Sequence, residues 1–323
     1  ASTIAVNAAG ELVCSWFGGT EEGNKDVAIW FSRRTKEGWD SPKMVADGVI
    51  EEKRYPCWNP VLFQWEKRLL LFYKVGPSPS TWWGMLKQSE DGGKNWSEGV
   101  RLPDGILGPI KNKPLLLAKG TLLCGSSSEH DGWRTHVELV SQKLNDWRKV
   151  GPLNDKGPLE SIQPTFLQLQ NGDLQMLCRS RSAQKIISSI SKDQGATWSA
   201  MSTTALPNPN SGIDAVTLAD GRHLLVYNHT IRDPKKPGAA RAQLNLAISN
   251  DGMNWKAVAQ LENEPTGEFS YPAVIVGEDG LVYVSYTWNR KKIRFVMLQS
   301  NKITGESMTD GKWPASAAVN LPR

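Results

Sequence analysis

Residues 89–96 read SEDGGKNW, residues 191–198 read SKDQGATW, and residues 249–255 read SNDGMNW. The first two share the pattern S-x-D-x-G-x-x-W, and the third is one residue shorter. Two eroded copies lie at residues 32–39 (SRRTKEGW) and 141–147 (SQKLNDW). The closing tryptophans are therefore Trp39, Trp96, Trp147, Trp198 and Trp255, spaced 51 or 57 residues apart. A period near 50 residues marks a repeated supersecondary unit of propeller-blade size. Within each copy, Asp and Gly suit a tight turn, because Asp bonds nearby amides and Gly adopts positive φ. The Trp is then expected to fold back over the apolar face between neighbouring units.

Outward from these turns the same order of strands recurs. Upstream of each lies an apolar run after a turn residue: ELVCSW, RLLLFY, TLLCGS, DLQMLC, RHLLVY and LVYVSY. Before each of these is another short run: STIAV, NPVLF, KPLLL, QPTFL, IDAVTL and YPAVI. With the stretch after each Trp, every unit offers four strands, and six units fill the 323 residues. Helical periodicity is absent. The expected fold is all-β, a six-bladed β-propeller with four-stranded antiparallel blades, read as one domain over residues 1–323. Radial packing of such sheets leaves only short edges. A seventh blade would need residues before Ala1.

Composition narrows the function. Fourteen Trp, six Tyr and seven Phe bury too much area for a disordered chain. No apolar run nears the length of a membrane span. The net charge is +5 with a pI near 8.9, and the basic clusters are too short for a nucleic-acid footprint. A weak positive field suits an anionic small substrate. Four cysteines (Cys14, Cys57, Cys124, Cys178) show no CxxC spacing and are read as buried free thiols, with no metal site. His130 and His136 flank the loop EHDGWRTHVE, a spacing without an established ligand geometry. No cofactor is expected. The compartment is left open, with secretion or the periplasm compatible.

Polar residues gather where the inner strands begin: Asn59, Lys111, Glu160, Gln163, Asp214, Glu268 and Tyr271. Unpaired charges at a narrow axis would be costly, so their accumulation points to a ligand. The prolines beside them (Pro60, Pro114, Pro164, Pro272) are expected at the first residue of a strand, where no ladder bond is lost. Arg179 ends an apolar strand and Arg241 is expected to begin another. Two arginines converging on one funnel fit a carboxylate, which Arg holds bidentately.

The Asp-turn repeat and its flanking strands resemble the sialidase (neuraminidase) superfamily, over almost the whole chain. The repeat marks fold rather than activity. The resemblance implies an exo-acting retaining glycoside hydrolase that releases a terminal acidic sugar with a Tyr nucleophile. Tyr271 matches that nucleophile, Glu160 the carboxylate that takes its proton, and Asp26 the acid/base, with Glu21 and Glu22 as rivals. Arg179 and Arg241 match two members of an arginine triad. The first triad Arg would fall just before Ala1, and Arg54 is a candidate to substitute for it. Gln163, Asp214 and Asn59 complete the implied substrate-binding set. The partner is an acidic oligosaccharide or glycoconjugate, with no nucleic acid and no membrane span. Two other readings stand beside this one. A propeller polysaccharide lyase acting on a uronate glycan would draw on His130, Arg134, His136, His229 and Tyr271. A non-catalytic glycan-binding propeller would need no nucleophile–base pair.

Overall fold

The computed structural model describes residues 1–235 and 237–317. It is all-β, with six antiparallel sheets of three to five strands following one another along the chain, a two-stranded hairpin (Val49–Ile50 with Lys53–Arg54) between the first and second, and no α-helix among the described residues. These are the six blades of a β-propeller. The chain divides into two compact units, residues 1–132 with 136–149, and residues 133–135 with 150–323.

In the first unit the inner strands Ser2–Val6 and Cys57–Trp65 pair with Leu12–Gly18 and Arg68–Val75. The run RLLLFYKV shows why such strands read as nearly continuous apolar stretches. Leu69, Leu71, Tyr73 and Val75 pack with Val13, Ile29 and Phe31 of the first sheet. The alternate residues Leu70 and Phe72 pack with Leu122, Cys124 and Val140. One strand thus feeds two cores, as a sheet covered on both faces requires. The second unit repeats the arrangement. Leu224 and Val226 join Val282 and Val284, whereas Leu225 and Tyr227 join Leu167 and Leu177. The four cysteines are free and buried, and burial pushes the thiols of Cys57 and Cys178 up to about 12.

The Asp-turns form by the bonds their residue types suggest. Ser89 Oγ donates to Asp91 Oδ1 (2.8 Å) and accepts from the Gly93 amide (2.8 Å), while the Asn95 amide donates to Asp91 Oδ1 (2.9 Å). Residues 191–197 and 249–254 repeat this scheme. The eroded copy at 141–147 keeps it in part. Ser141 bonds Asp146, Leu144 takes the positive φ of 59°, and the Trp147 indole donates to Leu144 O (3.1 Å). The same indole-to-carbonyl bond, three residues back, recurs at Trp198 and Trp255. As expected, Trp96 meets Phe31 of the preceding sheet edge-to-face at 5.5 Å, and Trp147 meets Phe72 at 6.3 Å. The copy at 32–39 differs: Thr35 and Gly38 pair in a tight hairpin, so it is no Asp-turn.

Three further expectations are corrected. The sixth sheet has three strands among the described residues, Phe269–Val276, Leu281–Trp288 and Lys292–Gln299. The short strand Glu306–Ser307 pairs instead with Trp255–Asn263 of the fifth sheet. Pro60, Pro164 and Pro272 do not begin their strands but sit inside them, where the register shifts between 58 and 61, 162 and 165, and 270 and 273. At each of these bulges the residue before Pro has positive φ: Asn59 30°, Gln163 58°, Tyr271 52°. A bulge removes two residues from the ladder, so the missing Pro N–H costs nothing there. Arg241, finally, closes a short 3-10 turn (Pro237–Arg241) rather than opening a strand.

Candidate functional site

Four of the residues singled out from the sequence meet in the second unit. Tyr271 and Gln163 are the two bulge residues of strands Phe269–Val276 and Ser161–Gln168. Non-glycine residues at positive φ cost about 1–3 kcal/mol and persist where surrounding structure enforces them. A bulge re-aims a side chain out of the pleat. Arg179 comes from the adjacent strand Leu174–Ser180, and its Nη1 donates to Gln163 Oε1 (3.3 Å). Its guanidinium lies 5.0 Å from the Trp133 ring centre and 5.8 Å from that of Tyr271. Arg241 approaches the Tyr271 ring from the 3-10 turn at 5.3 Å. Two cations therefore flank one phenol ring, an arrangement that ring quadrupoles favour.

Asn210 organises the pair. Its Oδ1 accepts from Arg179 Nε (2.9 Å), its backbone carbonyl accepts from Arg241 Nη2 (3.1 Å), and its Nδ2 donates to Arg181 O (3.2 Å). The residue sits at φ 63°, where Asn is tolerated better than most side chains. The only signal for it in the sequence is the turn-rich run PNPNSG at 207–212.

Arg179, Arg241 and Asn210 line a cavity of about 300 Å³ with Pro209, Arg232, Ala240, Glu268 and Arg290. Glu268 accepts from Arg290 Nε through both oxygens (3.0 and 2.9 Å) and from Arg241 Nη1 (3.3 Å). Burial raises the Glu268 pKa, but the bond and charge of Arg290, together with Arg241, outweigh this and hold it below its ordinary value. Glu160 stands at the head of strand Ser161–Gln168, and its Oε2 accepts from Arg181 Nη1 at 2.5 Å. Arg181, Arg232 and Arg290 carry no motif, and only spatial neighbourhood reveals them.

Asp214 departs from its expected place at the ligand. It is 1% exposed, with Oδ1 accepting from Thr165 Oγ1 (2.7 Å) and the Ala215 amide (2.9 Å), and Oδ2 from the Val274 amide (2.8 Å). Its carboxylate ties three inner strands together, which removes it from the ligand-binding set. Two of the three histidines of the lyase reading, His136 and His229, are also engaged, whereas His130 is exposed. His136 is buried with Nε2 2.9 Å from Glu138 Oε1. The His229 ring lies 2.6 Å from Tyr227 Oη and 2.8 Å from Gly311 O. Burial lowers the His229 pKa, against a smaller upward push from the Gly311 carbonyl.

The remaining candidates belong to the first unit. Asp26 Oδ2 accepts from Thr20 Oγ1 (2.5 Å) and the Thr20 amide (2.8 Å). These bonds, the hydroxyl's first, hold its carboxyl below the usual range, and the Arg54 charge adds to them. A proton donor needs the opposite shift, so Asp26 as placed is a poor acid. Arg54 is exposed on the two-residue strand Lys53–Arg54, and Asn59 is buried at its bulge. No cluster of His, Cys, Asp and Glu among the described residues has the makings of a metal site. No helix among them is long and apolar enough to cross a membrane.

The comparisons with known proteins agree on architecture. No curated protein matches the chain in sequence. Among solved structures, a protein of unknown function from Dyadobacter fermentans DSM 18053 superposes with TM-score 0.71 at 15% identity, over 92% of each chain. The intramolecular trans-sialidase of Ruminococcus gnavus, solved with oseltamivir carboxylate, gives 0.73 at 13% identity over 94% of each chain. A Hadza microbial sialidase, Hz136, gives 0.75 at 16% identity, over 94% of this chain and 66% of its own. Identities this low establish the shared propeller fold and leave the chemistry to the residues. A family model described as a BNR repeat-like domain matches residues 10–284, and the chain belongs to that family.

Proposed function

We propose that this protein is a sialidase-like glycosidase, an exo-acting retaining hydrolase that releases a terminal acidic sugar from an oligosaccharide or glycoconjugate, with residues 1–323 working as one domain. The observation that carries the reading is the approach of Arg179 and Arg241 to the Tyr271 ring, at 5.8 and 5.3 Å, beside a cavity of sugar size. The two guanidiniums would hold the sugar carboxylate, with Gln163 and Asn210 fixing Arg179. Tyr271 Oη would attack the anomeric carbon while Glu160 takes its proton. A neutral phenol suits an anionic sugar, because a carboxylate nucleophile would be repelled by the substrate's own charge. An acid would protonate the leaving oxygen, and water would later cleave the glycosyl–tyrosine bond. Asp26 is the proposed acid, and it would have to shed its Thr20 bonds to act. Arg54 and Asn59 stay in the proposed substrate-binding set.

The test pairs two substrates. Tyr271→Phe should abolish turnover of an aryl sialoside yet leave binding nearly intact. Asp26→Asn should lose activity on a natural glycoside while sparing one with an activated aryl leaving group, which needs no acid. Equal loss on both would remove Asp26 from the acid's role.

One observation favours a lyase instead. Glu160 is already held by Arg181 at 2.5 Å, which weakens it as a base, and a lyase would use Tyr271 without it. A lyase leaves a double bond that absorbs in the ultraviolet. Incubation with sialosides and with uronate-containing glycans separates the readings, and a binding module would convert neither.

A further inference from the structure

Trp133 lies in the loop EHDGWRTHVE, directly before the strand Arg134–Val140. Its backbone is pinned to the head of strand Ser161–Gln168. The Trp133 carbonyl accepts from Asn154 Nδ2 (2.8 Å) and from the Ser161 amide (3.3 Å). Two residues on, the Thr135 amide donates to Asn154 Oδ1 (2.8 Å) and Thr135 Oγ1 donates to Ser161 O (2.7 Å). Ser161 directly follows Glu160. One small network therefore fixes both the backbone beneath the Trp133 ring and the backbone beside Glu160.

The ring is used differently from those of the Asp-turns. Trp198 and Trp255 donate their indole N–H to a carbonyl three residues back. The half-buried Trp133 side chain makes no hydrogen bond among the described residues. What it meets is Arg179, whose guanidinium lies over the ring at 5.0 Å. Arg179 is 8% exposed, and a cation that deep needs compensation. Asn210 and Gln163 accept N–H groups at its edges, in the guanidinium plane. A ring over that plane attracts the charge without competing for those N–H groups, and it resists tilting. Tyr271 offers a second ring at 5.8 Å, but it is the reacting group of the proposed mechanism. Trp133 is the ring that keeps its place through turnover. We propose that Trp133 is a positioning residue whose indole face holds Arg179 at the tilt that receives the substrate carboxylate, and so sets the preference for an acidic over a neutral sugar. The inference rests on the carboxylate-holding role proposed above and names the residue that enforces it.

Calorimetric titration of the full chain with N-acetylneuraminate and with its methyl ester, which lacks the charge, tests it. The readout is the ratio of the two affinities, and wild type should favour the acid at least tenfold. Trp133→Leu keeps an apolar side chain without a ring face and should cut that ratio about fivefold, the worth of a half-buried cation–π contact. Trp133→Phe restores a face and should recover most of it. Ring-fluorinated tryptophans placed at position 133 preserve shape while draining the negative face, so the ratio should fall with each added fluorine. A flat fluorine series, or a Trp133→Leu variant that weakens acid and ester equally, would overturn the positioning proposal alone, because a ring with a purely structural role behaves that way. If wild type binds neither probe, or binds both alike, the carboxylate-holding reading falls and the proposal falls with it.

Discussion

Asp214→Ala removes an acceptor that three donors share inside the second unit, and the loss can be apportioned from the geometry. The Thr165 hydroxyl has a fallback, since Ala215 O lies 3.4 Å away. The Ala215 amide has one too, in Thr165 Oγ1 at 3.2 Å. Among the described residues the Val274 amide has only Asp214 Oδ2, at 2.8 Å, as a side-chain acceptor. An unsatisfied buried amide costs about 1–3 kcal/mol, and losing bonds to a charged group adds about 1.5–3 kcal/mol more. The partial fallbacks bring the sum to about 3–5 kcal/mol, within the range for a broken buried network. Urea unfolding at pH 7, followed by tryptophan fluorescence, should register that loss. Asp214→Asn keeps one acceptor oxygen and should lose less. Ligand affinity of the still-folded Ala variant should match wild type at low temperature. An Ala variant within 1 kcal/mol of wild type that loses ligand affinity tenfold would refute the argument and return Asp214 to the ligand.

Trp255→Ala should cost about 3–5 kcal/mol, because the indole is 8% exposed in the core, and the half-buried Trp198 should cost less by the same unfolding assay. Lys74 is fully buried with Nζ bonded to Pro109 O, and burial brings its pKa down to about 7, against upward pushes from Glu138 and Cys124. Between pH 7 and 10.5 the unfolded chain then binds the extra proton, so stability should rise with pH by up to ~1.4 kcal/mol per unit. Lys74→Met should be flat in that window by comparison, and parallel profiles would disprove the shift. Asn210→Ala should release Arg179 Nε while leaving the Arg241 bond to the backbone carbonyl, weakening an acidic ligand several-fold. An unchanged Kd would show that the placing of Arg179 does not depend on Asn210.

The fold was legible because its signals are local. A Ser–Asp–Gly turn closes on its own residues, and a strand covered on both faces declares itself as an apolar run. Arg179 and Arg241 were legible for a related reason: each sits where an apolar stretch meets a polar one. What was not legible depends on which strands lie side by side. Asp214 looks like a ligand residue until Val274, 60 positions later, is seen to donate to it. Asn210 lies in an unremarkable turn, and its role arises only because two arginines arrive from elsewhere. Lys74, the last charged residue of the run RLLLFYKV, looks like a solvent-facing residue, yet it is fully buried. The bulges misled in the opposite sense. A residue before Pro favours extended backbone, so nothing in N-P, Q-P or Y-P announces the positive φ at 59, 163 and 271.

Those three bulges have a consequence for how such proteins diversify. Each is the same local device, a left-handed residue followed by Pro within an inner strand, yet it presents an amide at 59, a longer amide at 163 and a phenol at 271. The backbone strain is met by the strand and not by the side chain that occupies the position. The occupant is therefore exchangeable without redrawing the blade. A lineage built on this scaffold can explore new chemistry one position at a time, moving a phenol or an amide among ready-made sockets, while the Asp-turns and two-sided strands keep the fold unchanged.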